Sequence, residues 1–305
     1  MRILLVNDYI HHKNFHSITS YRNISLVCVN HVNEIYNIDL NMFDCVYSCH
    51  SPIDEGVISH FPNVLFIFGP HFWVLPTENN KLDVIKGFQE KKNKNVVFNL
   101  LSEWVCSIVK CFKETRNIRF IKLPFGVDTD KFKENPLIEK TEVFVYYKRR
   151  HPEELQFILN NLNSRNISYR VFDYTNTYSE EEYIEYLQKS KYGIWVGCHE
   201  SQGFALQEAL SCNVPLCVWS VLHMDQEIGV SYFPYPATTV PYWDSRCGEV
   251  FCIDTYFSTV FDKFLTRINE NDYSPREFVL ENLSMEVCEK KLIYLIEDHK
   301  SGRVG

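Results

Sequence analysis

The stretch GCHESQGFALQEAL, residues 197–210, sets two glutamates, Glu200 and Glu208, eight residues apart around a Gly-Phe pair. The run before it, YGIWVG, reads as a strand ending at Gly197, and GFALQEALSC reads as a helix. Glu200 then falls in the loop at the helix mouth, and Glu208 falls about one and a half turns inside. Between them the backbone N–H groups of Gly203, Phe204 and Ala205 have no partner within the helix. A helix start carries about half a positive charge and suits a phosphate. Gly203 lets a ligand approach the backbone closely. Two carboxylates that accept from hydroxyls, flanking a phosphate cradle, fit a sugar, a diphosphate and a ribose in a row, which is a nucleotide sugar. The plainer alternative is that the acids serve only as caps of a helix start.

The elements that must position these residues are legible as short apolar runs alternating with amphipathic stretches. MRILLVN, ISLVCVN, FDCVYSC, VLFIFG, NVVFNLL and RFIKLPFG read as strands, and SEWVCSIVKCFKE as a helix. After residue 140 the alternation sharpens. TEVFVYYK is a strand, PEELQFILNNLN a helix with Pro152 in its first turn, and YRVFDY a strand. SEEEYIEYLQKS is a helix capped by Ser179, followed by the strand, helix and strand of YGIWVG, GFALQEALSC and PLCVWS. Continuous apolar strands alternating with helices predict parallel sheets covered on both faces. There are two such series, so the expected fold class is α/β, with two Rossmann-like, doubly wound domains facing a cleft. The domains are expected at 1–130 and 137–284. LPFGVDTDKFKENPLIEK is the linker, with hinges for closure near 126–140 and 270–285. Residues 285–305 form a C-terminal helix and tail that can pack back on the first domain. KKNKN at 91–95 reads as a solvated loop.

Bulk properties bound the function. The 305 residues suit two domains of roughly 130–150 residues. A net charge of −8 argues against non-specific nucleic-acid or anionic-membrane binding. The start MRILLVNDYI lacks the pattern of a signal peptide, and no apolar run is long enough to span a bilayer, so a cytoplasmic location is expected. The eleven cysteines are odd in number and scattered through apolar runs (Cys28, Cys45, Cys106, Cys217). They are expected as buried, reduced thiols, and the absence of any CxxC argues against structural zinc.

Residues 200–219, ESQGFALQEALSCNVPLCVW, resemble the donor-site motif of retaining GT-B glycosyltransferases of the family 4 type. That motif has a Glu, a Gly-aromatic turn, a second Glu eight residues on, then a small-residue turn and a Val-Pro strand. LPFGVDTDKF at 123–132 resembles the Pro-Asn-Gly-Val-Asp-x-x-x-Phe signature that ends the first domain in that family, with Phe125 in place of Asn. The two motifs stand in the family's order, and the resemblance is strongest over 96–290. It implies that Glu200 contacts hydroxyls of the donor sugar. It also implies that Gly203 and Phe204 present amides to sugar and phosphates, with Ala205 beside them, and that Glu208 holds the ribose.

The family also places basic residues after the first strand of the second domain, here VFVYYKRRHPEEL. In an extended chain Lys148 and Arg150 share one side and Arg149 takes the other. Lys148 and Arg150 are therefore expected on the diphosphate, offsetting its charge as it leaves, with Arg149 in reserve. His71 after VLFIFG and His50 after FDCVYSC stand where members often carry a histidine near the transferring sugar. Ser102 opens a helix after a cleft strand, as a cap or a donor contact. The family commonly has a glycine-rich turn after the first strand. NDYIHHKNFHSITSYRN has none, and its Asp8, Tyr9, His11 and His12 are acceptor-binding residues or plain surface. Trp243, Asp244 and Arg246 line a nucleotide pocket or form an aromatic-capped loop.

The reading is a retaining glycosyltransferase of the hexosyl- or deoxyhexosyl-transfer type. It would move a sugar from a nucleotide-diphosphate sugar to a hydroxyl of a glycan, glycoprotein or lipid-linked acceptor. No Asp-x-Asp site serves the expected donor cleft, so no metal or other cofactor is expected. The alternatives are a nucleotide-sugar epimerase of the same architecture, which needs acid/base residues around the sugar ring, and a non-catalytic nucleotide-sugar binder.

Overall fold

A computed structural model of the chain describes residues 1–70, 93–176 and 178–302. The chain divides into two compact units, Met1–Gly126 with the segment from Met285 onward, and Val127–Ser284.

The first unit contains β1 (Arg2–Val6), α1 (His12–Thr19), β2 (Ser25–Val29), β3 (Cys45–Ser48), α2 (Glu55–His60), β4 (Leu65–Phe68), β5 (Val96–Asn99), α3 (Glu103–Lys110) and β6 (Phe120–Ile121). Its strands lie in the order β2-β1-β3-β4-β5-β6, every neighbouring pair parallel. Strands β3, β4 and β5 are buried at every residue, as a parallel sheet covered on both faces requires. Leu4, Val46, Phe66 and Phe98 join one continuous core. Strand β2 sits at the edge, and Cys28 within it is exposed rather than buried as expected. All eleven cysteines are free thiols.

Helix α1 replaces part of the loop expected after β1. Its buried side chains are Asn14, Ser17 and Ile18, so the inward face has helical spacing but little hydrophobicity. Ser17 is fixed there because its hydroxyl accepts from the Gly126 amide at 2.6 Å.

The second unit contains β7 (Glu142–Lys148), α4 (Pro152–Ser164), β8 (Arg170–Asp173), α5 (Glu180–Lys189), β9 (Ser190–Gly197), α6 (Phe204–Ser211), β10 (Leu216–Trp219), β11 (Gly248–Phe251), α7 (Phe257–Asn269) and α8 (Pro275–Asn282). Its strands lie in the order β11-β10-β9-β7-β8, again all parallel. Alternate residues of the central strands feed two cores. Phe144, Tyr146 and Trp195 belong to one, and Val143, Val145, Ile194 and Val196 to the other. Gly193 is the register partner of Phe144, and a Cβ on it would stand 2.3 Å from that ring, so only glycine lets β9 pass. Pro152 opens α4, and the Ser179 hydroxyl caps α5 by accepting from the Glu182 amide at 3.0 Å.

Strand β11 and helix α7 add to the elements expected from the sequence. Helix α7 buries Phe257, Phe261, Phe264 and Ile268 against the second core. After α8 the chain returns to the first unit as α9 (Met285–Lys300). There the Lys300 ammonium lies 2.6 Å from Asp44, which also accepts from the Arg2 amide at 2.7 Å. Among the described residues no helix is long and apolar enough to cross a membrane.

Candidate active site

The strand order of the second unit fixes where a ligand site can form. From β7 the chain moves out to β8 on one side, and then to β9, β10 and β11 on the other. Strands β7 and β9 are neighbours whose connections leave in opposite directions, and a crevice opens beyond their carboxyl ends. Lys148 and Gly197 are register partners at that end, and the Cys198 amide donates to the Lys148 carbonyl at 3.1 Å. Two residues back, the rings of Tyr146 and Trp195 stack with centroids 3.9 Å apart.

The three cations that follow do not alternate as an extended chain would. Arg149 takes a left-handed φ of 49°, which ends the strand. Lys148 Nζ then lies 2.6 Å from Glu200 Oε1 and 4.9 Å from the centre of the Tyr174 ring. Arg149 bonds Glu227 at 2.8 Å and lies 5.7 Å from the same ring. Arg150, expected on the diphosphate, is instead 1% exposed. Its guanidinium pairs with Glu154 and donates to the carbonyls of Gly197 (3.0 Å) and Trp219 (3.2 Å). It closes the carboxyl ends of β9 and β10 from within and is sealed from solvent. The left-handed turn at Arg149 breaks the extended alternation that would have set Arg150 beside Lys148.

Lys148 and Glu200 thus come together from two distant parts of the chain, with side chains only 18% and 14% exposed. Burial disfavours the Lys148 ammonium. The Glu200 carboxylate outweighs that, and the lysine is held above its ordinary range. The Glu200 amide donates to the Thr238 carbonyl at 3.1 Å, which fixes the loop. Gly203 is the N-cap of α6 at φ 81°, and a Cβ there would stand 3.3 Å from Glu200 Cβ. Gly203 itself offers no side chain to cap α6, and no acid lies in the helix's first turn, where the amide ends carry partial positive charge. Phe204 and Ala205 are half-buried in that first turn. Glu208 is 4% exposed. Its charge reaches the neighbouring phenols Tyr178 and Tyr183, both raised chiefly by burial. Gln202 and Gln207 bond each other across the mouth at 3.3 Å.

Three further residues belong to this site. Tyr174 follows β8 and sits beside both Lys148 and Arg149. Glu227, in the loop after β10, bridges Arg149 and His199 Nδ1, the latter at 3.3 Å. The Ile228 amide donates to the Arg149 carbonyl at 2.9 Å, so this loop holds the turn in place. Burial, with Lys148 and Arg149 nearby, pushes His199 down to about 4 despite Glu227, and its ring meets Tyr232 edge-on at 5.1 Å. No local spacing announces Tyr174 or Glu227. Each comes from a loop that only the tertiary fold brings to β7.

Trp243 packs on the core, while Arg246 pairs with Asp244 at 2.8 Å and with Glu281 at 2.7 Å, so this segment is an aromatic-capped loop tied to α8. Among the described residues, no three His, Cys, Asp or Glu side chains are grouped to hold a metal ion.

The first unit has its own switch point, between β1 and β3. Asp8 accepts there from the Ser51 hydroxyl at 2.6 Å. Tyr9 is 83% exposed with φ 54°, and its ring centre lies 5.2 Å from that of His50. The His11 and His12 rings, 4.4 Å apart, begin α1. Ser102 stands at the head of α3, fully buried, and among the described residues its hydroxyl has no hydrogen-bond partner. His71 lies outside the described residues.

Neither a protein-family profile nor a curated protein matches the chain. Solved structures do match it. The N-terminal domain of Candida albicans trehalose-6-phosphate phosphatase aligns at a TM-score of 0.57 and 11% identity, over 98% of this chain and 97% of that one. The lipopolysaccharide outer core galactosyltransferase WaaB aligns at 0.54 and 11% identity, over 99% and 100%. TarM aligns at 0.50 and 15% identity, over 86% of this chain, which spans 57% of TarM. The two parallel, doubly wound units are those of the GT-B fold.

Proposed function

From a chain of GT-B fold, we propose a glycosyltransferase that moves a hexosyl or deoxyhexosyl group, with retention, from a nucleotide-diphosphate sugar to a hydroxyl of a glycan, glycoprotein or lipid-linked acceptor. The observation that carries this reading is the Lys148–Glu200 pair at 2.6 Å beside the amide end of α6, at the switch point of the second unit. It sets a cation, a helix dipole and a hydroxyl acceptor within reach of one ligand. The likeness in fold to WaaB, a galactosyltransferase, is consistent with it.

In this reading Glu200 orients the donor sugar through its hydroxyls and Glu208 takes the ribose. The amides of Gly203, Phe204 and Ala205 receive the diphosphate with Lys148, and Arg149 supports them. The acceptor oxygen forms a bond to the anomeric carbon on the face the diphosphate leaves. The carbon–oxygen bond to phosphate breaks with its electron pair going to the diphosphate. The acceptor proton passes to the departing phosphate oxygen, so no separate protein base is required. Asp8, Tyr9 and His50 recognise the acceptor, and no divalent metal takes part. His71 and Ser102 remain candidates for sugar and donor contacts.

The test is a thermal-shift screen of UDP-, GDP-, ADP- and dTDP-sugars. A matching donor at 100 times its Kd stabilises the fold by about 2.7 kcal/mol. Glu200→Ala is then assayed for transfer with that donor. A loss of turnover of about a hundredfold or more, with the melting temperature kept, supports the reading. Unchanged turnover, or no stabilisation by any of the donors, refutes it.

A further inference from the structure

Resting on that donor-site reading, we propose that Glu200 makes the site discriminate between a diphosphate that carries a sugar and one that does not, by competing with the diphosphate for Lys148. The two side chains meet at 2.6 Å and are largely shielded from water, so the pair is charge-assisted and weakly screened. Glu200 also lies against the N-cap of α6, since a Cβ on Gly203 would stand 3.3 Å from Glu200 Cβ. A phosphate arriving at that helix end therefore draws on the ammonium that Glu200 already holds.

Lys148 can change partners without losing all support. The Tyr174 ring, 4.9 Å away, steadies the cation without neutralising it. Glu200 has a harder position. Once Lys148 turns to phosphate, the mostly buried carboxylate loses that ammonium, which is unfavourable. A sugar hydroxyl that donates to Glu200 offsets the loss. A bare nucleoside diphosphate has no such group and meets an intact ion pair. The same pair re-forms once the sugar has been transferred, which weakens the hold on the product. Discrimination of this kind comes from an opposing interaction as much as from an attractive one.

Calorimetry on the full chain tests it, with inorganic pyrophosphate, UDP, GDP, ADP, dTDP and the corresponding nucleotide sugars as probes, and the parent compared with E200Q, E200A and E208Q. The expected result is that E200Q and E200A bind the preferred diphosphate about tenfold tighter than the parent, and bind the matching nucleotide sugar more weakly than the parent does. With pyrophosphate, which has no ribose for Glu208 to hold, E208Q replaces a second buried carboxyl at the same helix and should show no tightening. If the parent binds a diphosphate and the Glu200 variants bind it no tighter, the competition is refuted while the donor-site reading stands. Equal tightening in E208Q reduces the effect to general charge and also overturns it. If no protein binds any probe or any nucleotide sugar, the donor-site reading falls with it.

Discussion

Arg149 adopts a left-handed φ of 49°, and the three consecutive cations then reach three separate carboxylates, Glu200, Glu227 and Glu154. The strand alternation that would align Lys148 with Arg150 holds only as far as the strand does. Arg150→Ala should therefore act on stability. Removing the guanidinium strands Glu154 and two strand-end carbonyls, and a loss of about 3 kcal/mol is expected in urea unfolding. Arg150→Lys should not restore it, because an ammonium cannot reach all three partners in one plane. His199 gives a pH signature. The unfolded chain protonates it near 6.5, the folded chain only near 4. Between those values the unfolded state binds more protons, so stability is complete above about 6.5 and falls as pH drops toward 4. His199→Gln should flatten that acid limb, removing up to about 3 kcal/mol of pH dependence in unfolding measured from pH 7 to 4. In the sequence, Lys148 and Glu200 stand in two recognisable contexts, the tip of a buried strand and the mouth of a helix. Tyr174 and Glu227 have no such context, because a ring under two cations and a carboxylate under an arginine exist only once the loops are folded.

Helix α6 depends on how it begins. Gly203→Ala places a side chain on a left-handed residue and pushes toward Glu200, so a loss of about 1–2 kcal/mol in urea unfolding is expected. The same variant should raise the donor KM, since Glu200 and the amide end must move apart. A variant that loses stability but keeps its KM would separate the helix start from the ligand. Strands were the most legible elements, because parallel pairing buries both faces and leaves continuous apolar runs such as LFIF and VVFN. Helix α1 was not, since Asn14 and Ser17 carry its inward face. Strand β11 was obscured by Glu249, which Lys263 at 2.9 Å and Arg267 at 2.7 Å balance at the sheet edge. Those partners lie in α7 and are invisible to any local window.

The whole chain repeats one plan, an all-parallel sheet with its connections reversing at a central pair of strands, in each of two units. Structures only 11% identical reach the same fold because burial pattern and turn positions, not particular residues, specify it. The alternation of runs was therefore enough to read the fold class. The proposed chemistry draws its positive charge from Lys148, Arg149 and a helix end, so activity with the matching donor should survive dialysis against EDTA within about twofold; a larger loss, restored by Mg²⁺ or Mn²⁺, would place a metal in the reaction. The turn at Arg149 has one more effect. With every member of the Lys-Arg-Arg run already matched to an acid, the rim of this crevice is electrically quiet when seen from solution. An anion diffusing past gains little long-range pull from it, and attraction must be created at contact, as old pairings are traded for new ones.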